Sequence, residues 1–508
     1  MGQEPASGQE NRGVNRRDFV RRSAGIAGAL AGLPTTLAAQ QNTSTGGRRP
    51  NVIIFHADQF RWDCLGAYGL NPMGLTPNLD GVAGRGALFA NAITNQPLCS
   101  PSRACLMTGQ YGAKNGVWGN GPGLTPGVNT IATAFRGAGY TANYIGKWHL
   151  AGHHIRGAVP PEYRGGFLDL WEASNVLEFT SRPYQGDLYD NDGKPIHFSG
   201  IYRVDFITDL AVRFLRQKPR EPFLLMVANL EPHFQNGLGR FVAPEGYAAR
   251  YANPFVPHDL RFFPGDWPSQ LPDYYGCVAK IDEAAGAILK TLAEEGLEDH
   301  TIFAFTSDHG CHFKTRNTEY KRSPHESSIH VPLVIQGPGF GRLQVIQQLV
   351  GMVDIAPTLL DAAGVPIPDT MQGKSAIPLL QGKTEGWRNE IFIQLAEFVT
   401  GRALRTEQWT YAVGSTQRGP ETPSPIRDRY REIQTHNLTG GSKPAPYADR
   451  YVEYQLYNLF SDPHQLVNLA GRDETLTVAE ELRERLKSRM AEVGDHPAEI
   501  GPPIFPYP

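Results

Sequence analysis

The sequence predicts an α/β protein: a large, mostly parallel sheet flanked by helices, followed by a smaller C-terminal α+β domain. Three observations carry this. Short β-rich runs recur that are apolar throughout rather than alternating: NVIIFHAD from Asn51, YTANYIGKW from Tyr140, PFLLMVANL from Pro222, TIFAFTSD from Thr301 and VPLVIQGPG from Val331. Strands of that kind are buried on both faces, as in a covered parallel sheet. Between them lie helical patterns, NTIATAFRGAGY from Asn129, YRVDFITDLAVRFLRQK from Tyr202 and DYYGCVAKIDEAAGAILKTLAEEG from Asp273, the last with apolar residues three and four apart. Past residue 395 the texture changes. GRALRTEQWTYAVG and YVEYQLYNLF read as antiparallel strands around a Pro/Gly/Arg-rich loop at 414–448, and TVAEELRERLKSRMAEV as a charged amphipathic helix.

A chain of 508 residues exceeds one simple core, which places a large domain at 51–395 and a companion at 396–508. The 55 glycines and 40 prolines imply long loops around a scaffold. A formal net charge of -3, with no basic stripe, argues against a nucleic-acid partner. Residues 1–40 contain NRRDFVRR, with the pair Arg16–Arg17, then a short Ala/Gly-rich apolar stretch and small residues at Ala38 and Ala39. This resembles a twin-arginine signal peptide, read by the Tat export machinery, with residues 41–50 as linker. The apolar stretch is too short to span a bilayer. The mature chain is therefore expected to begin near Gln40 and to be free of the membrane, in the periplasm or outside the cell. Five cysteines (Cys64, Cys99, Cys105, Cys277, Cys311) without a CxxC pair argue against a disulfide scaffold or a structural zinc site and leave room for one disulfide in an oxidising compartment.

Two of the apolar runs end in acids, Asp58–Gln59 and Asp308–His309. Ligands of open α/β sheets bind beyond the carboxyl ends of the strands, so these residues should converge at one edge. Two carboxylates, an amide oxygen and an imidazole form an oxygen-rich set suited to a hard divalent cation.

Cys99 opens the stretch CSPSRACLMTG. Proline and serines mark a helix start, with RACLMTG as its body. The first turn of a helix favours anions, and Arg103 adds a fork of donors suited to a sulfuryl or phosphoryl group. As a thiolate, Cys99 would be a nucleophile toward phosphate. A tyrosine-phosphatase loop, however, needs arginine six residues on, where Cys105 stands.

CSPSRACLMTG resembles the signature of the type I sulfatases, C-x-P-S-R closed by (Leu/Met)-T-G, at every defining position. Further stretches agree: PNVIIFHADQFRWD and TSDHG resemble that family's two metal motifs, YIGKWHLA its GKWH element, EPHF its strand-end histidine, and YKRSPHESSIHVPLVI its lysine segment, with Glu326 five residues past Lys321. MVDIAPTLLDAAGVP and YQLYNLFSDPHQLVNLAG resemble later landmarks, so the resemblance spans roughly 50–470.

That resemblance implies an alkaline-phosphatase-like architecture and an exported sulfatase that hydrolyses sulfate monoesters. It implies that a formylglycine-generating enzyme oxidises Cys99 to formylglycine, whose hydrated aldehyde attacks sulfur. It also implies that Asp58, Gln59, Asp308, His309 and the modified Cys99 hold one divalent metal ion. Arg103 would hold the hydrate and neighbouring charge, and Lys147 and Lys321 would contact sulfate oxygens. His149 would take the proton whose loss expels sulfate and regenerates the aldehyde, and His233, with Lys321, would assist the departing alcohol. Two departures matter. Many sulfatases carry two adjacent aspartates in the first motif and asparagine in the second; Gln59 and His309 replace those partners here. The imidazole admits nitrogen ligation, which weakens the case for calcium; calcium still leads on the oxygen majority, with manganese or zinc as alternatives. The same pairs occur in related phosphonate monoester and phosphodiester hydrolases, the alternative enzyme; an inactive binding protein on this scaffold would lack a nucleophile or ligand, and none is missing. Loops at 150–200 and 234–270 carry aromatics, arginines and histidines suited to a sulfated sugar, and His153, His154, His312 and His325 read equally as substrate contacts or loop residues.

Overall fold

The computed structural model describes residues 48–341, 343–415 and 445–503. The Arg16–Arg17 segment and most of the loop expected at 414–448 lie outside the described residues. The first sheet contains β1 Asn51–Ala57, β2 Ala87–Ile93, β3 Thr141–Lys147, β4 Trp171–Ser174, β5 Ser181–Arg182, β6 Gln185–Tyr189, β7 Pro195–Ser199, β8 Phe223–Ala228, β9 Thr301–Ser307, β10 Leu333–Gln336 and β11 Gln344–Gly351. Its order is β11-β2-β10-β9-β1-β8-β3-β4-β6-β5, with β7 beside β6. The run β9-β1-β8-β3-β4 is parallel. β10 runs antiparallel to both neighbours, and the β5–β7 flap is antiparallel.

The five apolar runs are five of these strands, and the reason is visible in β1. Val52 and Ile54 enter the core on one face of the sheet, whereas Ile53 and Phe55 enter the core on the other. With neither face wet, alternation has no basis. One face is covered by α1 Pro77–Arg85, α4 Arg203–Arg216 and α5 Trp267–Glu294, the other by α2 Cys99–Thr108, α3 Ile131–Gly137 and α6 Ile355–Ala362. The helix α5 begins at Trp267, earlier than the Asp273 start read from periodicity, and continues through Pro272 within its first two turns.

The second sheet has the order β12-β13-β14-β15-β16, formed by β12 Glu390–Leu395, β13 Gly401–Thr406, β14 Trp409–Ser415, β15 Arg450–Asn458 and β16 Glu499–Gly501. The boundary drawn at 395 therefore falls at the end of its first strand. Residues 49–508 cluster as one unit, and α7 Leu476–Val493 packs Leu482 and Leu486 into a core shared with Leu404, Phe392 and Val350. Arg405 on β13 reaches Glu326 with two hydrogen bonds, 3.0 and 3.2 Å, tying the second sheet to the loop region that carries Lys321. All five cysteines are buried and free. No helix among the described residues is long and apolar enough to cross a membrane.

Candidate active site and metal centre

Four adjacent parallel strands deliver the site. β1 ends one residue before Asp58, β9 one residue before Asp308, β3 ends on Lys147, and the loop after β8 carries His233. Because parallel strands share a polarity, their carboxyl ends lie on one edge. The helix α2 enters from the other side, with Cys99 as its first residue, and stops where Gly109, at φ 61°, accepts a left-handed conformation. Every residue of α2 is buried, which fixes the nucleophile element rigidly.

The predicted ligands converge. One donor atom each from Asp58, Cys99, Asp308 and His309 lie within 4.8 Å of one another. Cys99 Sγ is 3.6 Å from Asp58 Oδ1 and 3.5 Å from His309 Nε2, and that nitrogen is 3.5 Å from both Asp58 Oδ1 and Asp308 Oδ1. The Oδ2 oxygens are taken from outside: Lys147 Nζ donates to Asp58 Oδ2 at 2.8 Å, and Arg103 donates to Asp58 Oδ2 at 3.1 Å and Asp308 Oδ2 at 3.2 Å. The Oδ1 pair is thereby left facing the centre. Gln59 joins through its backbone, whose N–H donates to Asp308 Oδ1 at 3.1 Å, while its buried Oε1 has no partner among the described residues. A buried amide oxygen without a donor is costly, and a cation answers that need. The donor set fits a divalent cation.

Gln59 and His149 both sit at positive φ, 68° and 59°. Non-glycine residues occupy that region only when their surroundings enforce it. For His149 the enforcement is its N–H donating to Asn175 O at 2.6 Å. His149 stacks on His153, with Nε2 atoms 3.2 Å apart. Lys321 Nζ lies 3.0 Å from Cys99 Sγ and 3.0 Å from His233 Nε2, joining nucleophile and histidine. Arg322 N–H donates to Pro97 O, which holds that loop against the residues preceding Cys99.

The electrostatics follow from packing these groups in a dry space. Burial alone would raise the Cys99 thiol, but Lys147 and Lys321, with the His149 and His233 imidazoles, bring it well below its ordinary value. Burial and Cys99 push Asp58 up; Lys147, His233 and Arg103 outweigh them and hold it well below the carboxylate range. Asp308 moves the other way, raised by burial and by the neighbouring Asp58 charge against His309 and Arg103. His149 is lowered by burial and by Lys147, which keeps its imidazole neutral near pH 7.

Two findings lie beyond the sequence reading. Arg103 spends three donors on Asp58, Asp308 and the Lys147 carbonyl (2.9 Å) rather than on Cys99, so it braces the acids. Glu178, in the short helical turn Leu177–Thr180 with no recognisable motif, accepts from Lys147 Nζ at 3.1 Å and is held down to about 2, burial being overcome by Lys147 and His149. No local signal marks it, since its role exists only through Lys147. Of the remaining histidines, His312 Nε2 donates to Lys321 O at 3.1 Å and His325 pairs with Tyr457 at 3.2 Å, both as internal contacts.

This edge-of-sheet centre defines a hydrolase of the sulfatase type, and comparison with known proteins agrees. The family description "Sulfatase" matches residues 50–365, and "N-sulphoglucosamine sulphohydrolase, C-terminal" matches 318–414. The chain is 31% identical over 468 residues to the ulvan-active sulfatase of Formosa agariphila, covering 88% of this chain and 82% of that one. In fold it resembles a protein solved with its substrate D-glucosamine-2-N,6-O-disulfate (TM-score 0.71, 23% identity, 88% and 98% of the chains). It also resembles the phosphonate monoester hydrolase of Agrobacterium radiobacter (TM-score 0.63, 23% identity, 88% and 96%). The chain belongs to the sulfatase family. It is an enzyme, a sulfatase.

Proposed function

We propose that this sulfatase hydrolyses sulfate monoesters carried on a carbohydrate, using formylglycine made from Cys99 and one divalent cation held by Asp58, Gln59, Asp308, His309 and the modified residue. The observation that carries the reading is the convergence of Cys99 Sγ, two Oδ1 oxygens and His309 Nε2 within 4.8 Å, with Lys321 Nζ at 3.0 Å from the sulfur. The saccharide part is supported by the names of relatives, one ulvan-active and one solved with a glucosamine disulfate. Cys99 Sγ stands where an oxygen of the hydrated aldehyde would lie. When present, the modified residue supplies the nucleophile and the cation supplies Lewis-acid charge.

The chain's own groups do the rest. Arg103 and Lys147 take the Oδ2 oxygens and so aim the Oδ1 pair inward. Lys147 and Lys321 set positive charge around the non-bridging sulfate oxygens, where charge builds in the transition state. Lys321, paired with His233, delivers a proton to the departing alcohol oxygen. His149, neutral near pH 7, would accept the proton whose loss expels sulfate and regenerates the aldehyde. Calcium suits the oxygen majority among the ligands, and the His309 nitrogen makes manganese or zinc the other outcomes of metal analysis. Export by the twin-arginine route, in folded and already modified form, rests on Arg16–Arg17.

The test is to produce the chain with a formylglycine-generating enzyme, recover it from outside the cytoplasm, and map its peptides by mass spectrometry. The chain should begin near Gln40, show loss of sulfur and gain of oxygen at Cys99, and release sulfate from a panel of sulfated saccharides. Fully active enzyme retaining a thiol at Cys99 would overturn the mechanism. Turnover of phenylphosphonate esters without sulfate release would replace the substrate with the one the Gln59 and His309 departures also fit.

A further inference from the structure

Beside the catalytic edge lies a pocket of about 550 Å³ lined by Arg156, Glu178, Phe179, Arg182, His197 and Gln235, among others. It adjoins the chemistry at two points. Glu178 is the residue that accepts from Lys147, and Gln235, two residues past His233, donates to the His233 carbonyl at 2.8 Å. Gln235 is itself held by Arg203 at 3.0 Å, so this wall is fixed.

The charges in the pocket are unevenly committed. Glu178 is taken by Lys147, and Asp187 is taken by His197 Nδ1 at 3.0 Å. Arg156 and Arg182 have no carboxylate within salt-bridge distance among the described residues. Arg156 instead lies over the Phe179 ring, 5.2 Å from its centroid. Phe179 is 56% exposed, a large apolar face left in water beside a polar cavity. Two unpaired guanidiniums and an open aromatic face are the pieces that bind an acidic sugar. The fork matches a carboxylate or sulfate with two parallel bonds, and the ring covers the apolar face of a pyranose.

We propose that this pocket binds a second anionic group, carboxylate or sulfate, on the glycan that presents the scissile ester, so that the enzyme selects polyanionic oligosaccharides over isolated sulfated sugars. The inference rests on the sulfatase reading above and names its substrate class. Lys147 and Lys321 are held at the reaction centre by Asp58, Glu178, Cys99 and His233, so Arg156 and Arg182 supply a separate attachment point. Binding energy gained there acts on affinity, because neither arginine touches the reacting atoms.

The experiment measures inhibition of 4-nitrocatechol sulfate hydrolysis by three size-matched oligosaccharides: an unsulfated chondroitin tetrasaccharide (carboxylates only), a carrageenan tetrasaccharide (sulfates only), and a neutral agarose tetrasaccharide. At least one anionic probe should inhibit the wild type at least about tenfold more strongly than the neutral one, and whichever does so identifies the anion. Arg156→Ala and Arg182→Ala should each weaken that probe by about tenfold, while kcat and KM for 4-nitrocatechol sulfate change less than about twofold. Arg156→Lys should recover part of the loss. Equal inhibition by all three probes, or unchanged inhibition in both variants, overturns the proposal. If the wild type does not hydrolyse 4-nitrocatechol sulfate, calorimetric titration of the same probes into the same variants decides the pocket separately. Anion-selective binding lost in the variants would uphold the pocket while the sulfatase reading failed, and binding without selectivity would refute the pocket.

Discussion

Replacing Lys321 with alanine separates two jobs that this residue performs at once. Its Nζ lies 3.0 Å from Cys99 Sγ and 3.0 Å from His233 Nε2, in a side chain that is 5% exposed. As a charged hydrogen-bond donor in a dry site it contributes about 1.5–3 kcal/mol, which is about 10–150-fold in rate. As the proton source for a poor leaving group it contributes about 10²–10⁴-fold. A sugar alkoxide needs that proton, whereas a nitrophenolate leaves with little help. The Lys321→Ala enzyme, losing both contributions on a sugar sulfate, should therefore fall by about 10³–10⁶ in kcat there and only by about 10–150 on 4-nitrophenyl sulfate. The assay is kcat for both substrates on enzyme shown by mass spectrometry to be equally modified at Cys99. Lys321→Arg keeps the charge but holds its proton too tightly to donate it, so it should rescue the aryl substrate and not the sugar. Equal losses on the two substrates would refute proton delivery by Lys321 and leave it a charge-neutralising role alone.

Two further outcomes follow from the same geometry. Asp58→Asn or Asp308→Asn removes one of two carboxylates facing the metal position, so bound metal should fall from about one equivalent to under a tenth and kcat by at least about 10³-fold, with the far-ultraviolet circular dichroism unchanged; retained metal in either variant would show that the ion is held elsewhere. Arg405→Met leaves the Glu326 carboxylate buried without its cation and should destabilise by about 3–5 kcal/mol at pH 7. Burial would raise Glu326, but Arg405 and His330 hold it far below the carboxylate range. A depressed acid contributes stability above its unfolded value, near 4.3, and loses it as pH falls, so the gap in melting temperature should shrink below about pH 4. A gap that is constant with pH would show that packing, not charge, is what Arg405 supplies.

The sequence by itself determined the fold class, because strands buried on both faces must be apolar throughout, and the run from Asn51 to Ala57 has no other reading once helices alternate with it. It also determined which residues meet. Asp58 and Asp308 each follow a parallel strand, and that shared polarity brings their carboxylates to one edge from 250 residues apart. The serines and Pro101 carried a start signal, so α2 was legible as a helix, although it begins at Cys99, ahead of the body read at 103–109. Tertiary structure alone decided what each group does with its partners. Arg103 braces two acids because both Oδ2 oxygens lie within reach of one guanidinium, a fact of three segments at once. The antiparallel direction of β10, between β2 and β9, and the place of β12 in the second sheet rest on strand pairings that no local pattern reports. Arg156 lies in a loop, Glu178 in a single helical turn and Arg182 in the two-residue strand β5, segments too short to show a period, so they take their positions from the scaffold beneath them. Composition could mark those segments as suited to a sugar. Only the folded chain set Glu178 against Lys147 and left two arginines beside it with no carboxylate partner among the described residues.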